Sequence, residues 1–206
     1  MSWRREQGRD RFFRQAKAQG YRARSAYKLL EIVEKFRVVR PGQVVLDLGA
    51  APGSWSQVAY ERVGPAGRVV AVDLQPIPHL PGVETLVGDV RAASTLAAIQ
   101  QALRQRADVV LSDVAPAATG ILVTDQARAI ELATSALAVA RATLRPGGAF
   151  VVKVFRGEDF DQFLGDVRRS FKKVNVAIPE ATRAESREAY VVARGHVICT
   201  PSYPAR

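Results

Sequence analysis

The segment Val45-Leu46-Asp47-Leu48-Gly49-Ala50-Ala51-Pro52-Gly53-Ser54-Trp55 decides the fold. A short apolar run ends near an aspartate and opens into a turn spaced Gly49-x-x-x-Gly53. Pro41-Gly42 breaks the chain just ahead of it, so Val44–Leu48 is expected to be a buried strand. The two glycines allow a tight turn and let the backbone pass close to a ligand where a Cβ would collide. The spacing differs from the Gly-x-Gly-x-x-Gly of dinucleotide-binding turns. No Gly-x-x-x-x-Gly-Lys-Ser/Thr loop for cradling phosphates occurs in the chain.

Working outward, strand and helix patterns alternate. Upstream, Ala26, Leu29, Leu30, Ile32, Val33 and Phe36 recur at helical spacing, with Ser25 as the expected N-cap. Downstream, Arg68–Val72 reads as a strand ending at Asp73, and Glu84–Val87 as a strand followed by Asp89. Leu96–Arg106 reads as a helix, and Asp108–Ser112 as a strand ending at Asp113. A helix over 125–144, stopped by Pro146-Gly147-Gly148, precedes the strand Ala149–Val154, which carries Lys153. A helix near Phe160–Ser170 and strands Val174–Ile178 and Ala189–Ala193 follow. This alternation predicts an α/β fold, a mostly parallel sheet with helices on both faces. With 206 residues and no internal repeat, the expected organisation is a basic arm over residues 1–24 and one domain over 25–206.

In open α/β sheets, ligands bind beyond the carboxyl ends of the strands. Asp73 lies at such an end, 26 residues after Asp47, where a carboxylate can accept both hydroxyls of an adenosine ribose. Asp89 can accept from an adenine amino group, with Val90 packing on the ring. The turn, Asp73 and Asp89 at successive strand ends favour S-adenosylmethionine over NAD or a nucleotide phosphate.

The formal net charge is +10, and more than half of it lies in the first 24 residues. There Arg4, Arg5, Arg9, Arg11, Arg14, Lys17, Arg22 and Arg24 stand against Glu6 and Asp10, with Phe12, Phe13 and Tyr21 interleaved. Such a segment can neutralise phosphates and offer stacking faces to RNA. No stretch approaches the ~20 apolar residues of a membrane span. The polar N-terminus has no apolar core of a secretory signal, so a cytoplasmic protein without a membrane partner is expected. Cys199 is the sole cysteine, which excludes an internal disulfide and a cysteine-built metal site; no metal is expected. It reads as a small hydrophobe, and Trp3 as a bystander. His79 and His196 have no partner pattern for a general base.

Several further segments complete the picture: Arg24-Ser25-Ala26-Tyr27-Lys28-Leu29, Asp113-Val114-Ala115-Pro116 with Gly120, Arg145-Pro146-Gly147-Gly148 leading to Lys153-Val154-Phe155, and Ser186-Arg187-Glu188-Ala189-Tyr190-Val191. With Asp47–Trp55 they make residues 10–194 similar to the RrmJ/FtsJ family of RNA ribose 2′-O-methyltransferases, in particular its bacterial 23S rRNA uridine type. Ser54 departs from the family, which usually has a second glycine there. The resemblance implies a Rossmann-like methyltransferase sheet of seven strands with an antiparallel last strand. It also implies a catalytic tetrad falling on Lys28, Asp113, Lys153 and Glu188. Gly53, Trp55, Asp73, Asp89 and Asp113 become the implied cofactor-binding positions, and 23S rRNA within the large ribosomal subunit the implied partner. A monomer is expected.

The chemistry needs those residue types. A ribose hydroxyl is a poor nucleophile until it loses its proton, and a neutral amine can take that proton. Lys153, at a strand end, is the expected acceptor. Lys28 would lower its pKa by like-charge repulsion, while Asp113 and Glu188 orient the ammonium and relay its proton. The chain has 24 arginines and only 6 lysines, yet both positions are lysine. Arginine cannot release its proton, which gives a reason for the exception. Two alternatives remain at this stage: the same chemistry on a tRNA anticodon loop or another RNA, and a catalytically silent RNA-binding assembly factor.

Overall fold

The computed structural model describes residues 11–116, 119–182 and 186–198, so Trp3 and Cys199 lie outside the described residues. Helix α1 covers residues 11–18. It is followed by α2 (Ala26–Phe36), β1 (Val44–Leu48), α3 (Ser54–Val63), β2 (Arg68–Asp73), β3 (Val83–Val87) and α4 (Ala93–Leu103). Then come β4 (Ala107–Ser112), α5 (Leu122–Thr143), β5 (Leu144–Phe155), α6 (Phe160–Arg168), β6 (Phe171–Ala177) and β7 (Glu188–His196). The sheet runs β3-β2-β1-β4-β5-β7-β6. β7 is inserted antiparallel between β5 and β6, and the other pairings are parallel. This is the expected seven-stranded architecture with its antiparallel last strand.

Successive side chains of a strand point to opposite faces, and that period divides the core into two layers. Val44, Leu46 and Leu48 of β1 join Phe150, Val152 and Val154 of β5 and Ala189, Val191 and Ala193 of β7 on the face covered by α4, α5 and α6. Val45, Val109, Leu111, Val151, Tyr190 and Val192 occupy the other face, under α2 and α3. The interior strand β1 is buried at all five positions, which explains why all of its residues but Asp47 are apolar. Each fully buried Val or Leu contributes about 1.5–3 kcal/mol of transfer free energy.

Element bounds depart from the sequence reading where burial and pattern part company. α4 begins at Ala93 and not near Leu96, because its first residues, Ala93 and Ser94, are exposed and carry no apolar signal. β5 begins at Leu144 and already includes Pro146-Gly147-Gly148, with a register shift against β4 between Ala107 and Val109. β6 begins at Phe171, since this edge strand hides Lys172 and Lys173 in the open while Phe171 is buried opposite His196. Ser25 stands at the N-cap position of α2 as expected, but its backbone is helical and its hydroxyl does not cap the helix, sharing instead a 2.8 Å hydrogen bond with Ser54 Oγ.

That bond belongs to a seam. Arg22 donates from Nη1 to the carbonyls of Pro52 (2.8 Å) and Pro78 (2.9 Å), and from Nη2 to that of His79 (2.7 Å). Gln57 accepts from the Arg22 amide and donates to the Gly20 carbonyl, both at 2.9 Å. Trp55 Nε1 donates to the Ser25 carbonyl at 2.9 Å. Residues 20–25 are thereby stitched to the turn after β1. Phe12 and Tyr21 also pack inward, each against the ring of Tyr27, and Tyr21 donates to Glu61. Phe13 remains exposed.

Arg22→Ala should therefore release two loops at once. The three carbonyls are near solvent and can be hydrated, so global stability should fall by only about 1 kcal/mol. Amide exchange around residues 50–53 and 77–80 should accelerate. Unchanged exchange there would show that the seam does not hold the turn.

Candidate active site

The pleat gathers the chemistry onto one face. Continuing the alternation of Val109 and Leu111 past β4 brings Asp113 to the α2 side, and the alternation of Val151 brings Lys153 there. Tyr190 and Val192 carry Glu188 to the same side of β7. The first turn of α2 supplies Lys28 from above, because Ala26 and Leu29 bury that helix against the sheet.

Two ion pairs result. Lys28 Nζ lies 2.5 Å from Glu188 Oε1, with both side chains nearly buried. Lys153 Nζ donates to the backbone carbonyl of Asp113 at 2.8 Å and sits 3.0 Å from Asp113 Oδ1. The Lys153 side chain is only 9% exposed, so its amine is largely shielded from competing water. The four residues picked out from the sequence are thus brought together as Lys28–Glu188 and Lys153–Asp113.

Tyr190 connects the pairs. Its ring is fully buried, its hydroxyl donates to Asp113 Oδ1 at 3.0 Å, and Lys28 Nζ lies 5.8 Å from the ring centroid. Burial, then the charges of Asp113 and Glu188, hold its phenol well above the ordinary value, so it remains a neutral donor. The sequence reading did not single it out as a site residue. The available signal was its place two residues after Glu188 on one strand, and its direct position opposite Lys153 emerges only from the β5–β7 register.

Beside the pairs lies a cleft of about 250 Å³ at the carboxyl ends of the parallel strands, lined by Gly49, Asp73, Asp89, Val90, Asp113 and Val114 among others. Asp73 accepts from the amides of Ala51 (3.0 Å) and Gln75 (2.8 Å), which fixes its carboxylate while leaving lone pairs for ligand hydroxyls. Asp89 is paired with Arg91, and these hydrogen bonds hold its carboxyl below the ordinary value. Behind the cleft, Asp47 is fully buried, with Oδ2 accepting from Ser56 at 2.6 Å and Oδ1 without a partner among the described residues. Burial first, and then repulsion from Asp113 and Asp73 against the opposing Ser56 bond, pushes its pKa up to about 7. A cleft so rich in carboxylates repels phosphates and suits a ligand with hydroxyl donors and a positive centre.

Two of the residues expected at the cofactor, Gly53 and Trp55, also have close protein neighbours. Gly53 has φ +107°, and a Cβ there would meet Arg22 Nη1 at 2.7 Å. Gly49 has φ +72°, and a Cβ would lie 2.7 Å from the Cα of Val114. The glycines make room for neighbouring protein, and the positive φ is the second reason for them. Trp55 is 2% exposed and packs on Tyr190, with ring centroids 5.6 Å apart. Neither Gly53 nor Trp55 is among the residues lining the cleft. Both residues help shape the turn that borders the cleft, and Trp55 also seats the tyrosine. His196 is buried at the far end of β7, and His79 contributes its carbonyl to Arg22, so neither stands near Lys153.

Asp47 gives a pH signature. A carboxyl whose folded pKa is raised adds stability below its unfolded value, near 4, and loses it as pH rises through the folded value near 7. Asp47→Asn should flatten the fall of Tm between pH 4.5 and 8. A wild-type slope retained in the variant would assign it to other groups.

The sequence pattern of the FtsJ-like methyltransferase family matches residues 21–196. The chain is 50% identical to the ribosomal RNA large subunit methyltransferase E of Alkalilimnicola ehrlichii, over 94% of this chain and 93% of that one. It is 46% identical to the protein of the same name from Cellvibrio japonicus, over 96% and 94% of the two chains. The fold superposes with a TM-score of 0.78 on a crystal structure from Plasmodium falciparum described as a ribosomal RNA methyltransferase, at 26% identity and covering 85% of this chain and 98% of that one. Human methyltransferase-like protein 13, solved with SAH, shares the fold at a TM-score of 0.61 and 17% identity, covering 86% of each chain. With its family pattern spanning both ion pairs and the cleft, the chain belongs to the FtsJ-like methyltransferases.

Proposed function

We propose that this chain methylates the ribose 2′-hydroxyl of a uridine in 23S rRNA, using S-adenosylmethionine. The observation that carries the reading is the convergence of Lys28–Glu188 and Lys153–Asp113 around Tyr190, at the mouth of a carboxylate-lined cleft. The names of its relatives as large subunit rRNA methyltransferases supply the substrate class. The assembled large subunit, a monomeric enzyme and a cytoplasmic location complete the proposal. Among the described residues, no helix is long and apolar enough to cross a membrane.

The cofactor supplies an electrophilic methyl on a sulfonium. Asp73 would accept the ribose hydroxyls, Asp89 the adenine amino group, and Asp113 would close the cleft toward the tetrad. Asp89 then has to share its oxygens between Arg91 and the ligand, and Arg91 is exposed enough to swing aside. Lys153 gives its own proton up toward the Asp113 carboxylate and, as a neutral amine, takes the proton from the 2′-oxygen. The Asp113 carbonyl and carboxylate fix its amine in one direction, so little reorganisation is needed when the hydroxyl arrives. Tyr190 holds the Asp113 carboxylate, and the Lys28–Glu188 pair supplies a second cation and an acceptor for relayed proton. Exposed Arg11, Lys17 and Phe13, with the segment before them, form the arm proposed to grip RNA; Arg22 is committed to the domain itself.

Lys153→Ala should lower methyl transfer to 23S rRNA by at least about 100-fold. Lys153→Arg should be nearly as poor, because the charge remains but the proton cannot be accepted. Cofactor affinity should stay near wild type in both. An arginine variant with full turnover would remove Lys153 from the role of base.

Asp73→Ala should weaken S-adenosylmethionine binding by about 1.5–3 kcal/mol, the loss of charged hydrogen bonds to the ribose. Titration calorimetry on the free protein reads it directly. Unchanged affinity would displace the ribose from the end of β2.

A further inference from the structure

The end of the sheet opposite the catalytic cleft carries an arginine-lined hollow that the reaction does not use. Arg37, Arg40, Arg145 and Arg194 surround a cavity of about 180 Å³, with Asp108 the one carboxylate in its wall. Asp108 is already committed, accepting from the Val44 amide at 2.8 Å and from Arg145 Nε at 2.6 Å. Arg194 is anchored by Nη1 on the Phe36 carbonyl at 3.2 Å, yet its buried Nε has no partner among the described residues. Arg40 uses only Nε, toward the Arg37 carbonyl, and the Arg37 guanidinium has no hydrogen bond or ion pair among the described residues. Four guanidinium groups against one neutralised carboxylate leave a strongly positive hollow with unused N–H donors.

The backbone adds a second observation. Arg37 ends α2 in the left-handed region, at φ +51°, a position where glycine or asparagine costs less. A long cationic side chain is thus kept on a conformation that disfavours it, aimed at this hollow. A second depression, lined by Glu34 and Arg62, adjoins the first and shares Arg37 and Arg40. Two hollows with shared arginines form a track, which suits successive charges on a chain better than a single small anion.

We propose that this track binds phosphodiester groups of the RNA, as a second contact remote from the target nucleotide. The inference rests on the reading of RNA as substrate. Arg194 pairs with Ala149 and Glu188 with Phe155 in the β5–β7 ladder, so six residues at ~3.4 Å each separate the track from the tetrad. A single nucleotide cannot touch both ends. An RNA held at both would be fixed in orientation across the sheet, with guanidinium forks matching phosphate oxygens in pairs.

The test uses the full chain and a mixed-sequence single-stranded RNA of about 30 nucleotides, bound at several salt concentrations. Arg37→Ala/Arg40→Ala should reduce the slope of log affinity against log salt by about 1.5, two phosphate contacts' worth for single strands. Arg37→Lys/Arg40→Lys should recover most of that slope, since counterion release follows charge. Both residues are exposed, so the fold should persist, and an unchanged cofactor affinity checks this. An unaltered slope overturns the proposal. So does an equal fall from Arg168→Ala/Arg128→Ala, exposed arginines elsewhere, because that reports diffuse charge alone. Loss of binding to phosphatidylserine vesicles with RNA affinity intact would reassign the track to a membrane surface. Methyl transfer to 23S rRNA by the wild type is assayed in parallel. Its absence beside a reduced slope rejects the substrate and keeps the track, whereas its presence beside an unaltered slope does the reverse.

Discussion

The hold of Asp113 on Lys153 is the interaction around which the rest of the site is arranged. The Asp113 amide bonds to the carbonyl of Leu48, which locks the end of β4 to the end of β1. Its carbonyl and its carboxylate both face Lys153, and the same carboxylate oxygen accepts from Tyr190. Through its position it also lines the cleft. One residue therefore ties the sheet, the base and the ligand site together. Any shift of β4 against β5 would separate the amine from both of its acceptors. The β4–β5 ladder and the buried residues on both faces of it resist that shift.

Charge is segregated to match. Carboxylates gather at the carboxyl end of the sheet, and Asp47 is driven toward its neutral form first by burial and then by repulsion from Asp113 and Asp73. The overall charge is nevertheless strongly positive. The basic groups are displaced to the arm and to the opposite end of the sheet, so an acidic pocket is embedded in a basic body. Such a distribution lets the pocket reject phosphates while the surrounding surface attracts them. Lysine and arginine divide the work on physical grounds. The amines held in the two nearly buried ion pairs are lysines, and the positions that bond carbonyls or carboxylates at the surface, such as Arg22 and Arg145, are arginines.

The second structural theme is that two residues expected at the cofactor also tie the first turn to its neighbours. Trp55 and Gly53 occupy the seam between the arm and the first turn. Their residue types are demanded by close approach of Arg22 and by the ring of Tyr190, so they are as constrained as direct contacts would be. Arg22, by reaching the loops after β1 and β2, makes the arm and the cofactor turn one mechanical unit.

The sequence by itself determined the class of fold and the succession of elements, and it singled out four residues that the structure brings together in two ion pairs. Strand-end aspartates after apolar runs, and lysines in an arginine-rich chain, are local signals that need no knowledge of packing. It could not decide which residues meet. Lys28 and Glu188 are 160 positions apart, and only the docking of α2 over β7 places their charges 2.5 Å apart. The role of Tyr190 depends on its register opposite Lys153, and that register follows from the antiparallel insertion of β7. The start of β5 was hidden because Pro146-Gly147-Gly148 reads as a stop, although β5 pairs with β4 on both sides of it, through Leu144 and again from Ala149. Whether a glycine faces a ligand or a neighbour was likewise beyond pattern, since a positive φ looks the same in both cases. Local chemistry is written in residue type and spacing, whereas contact across the chain is set by how the pleated faces and helices close on one another.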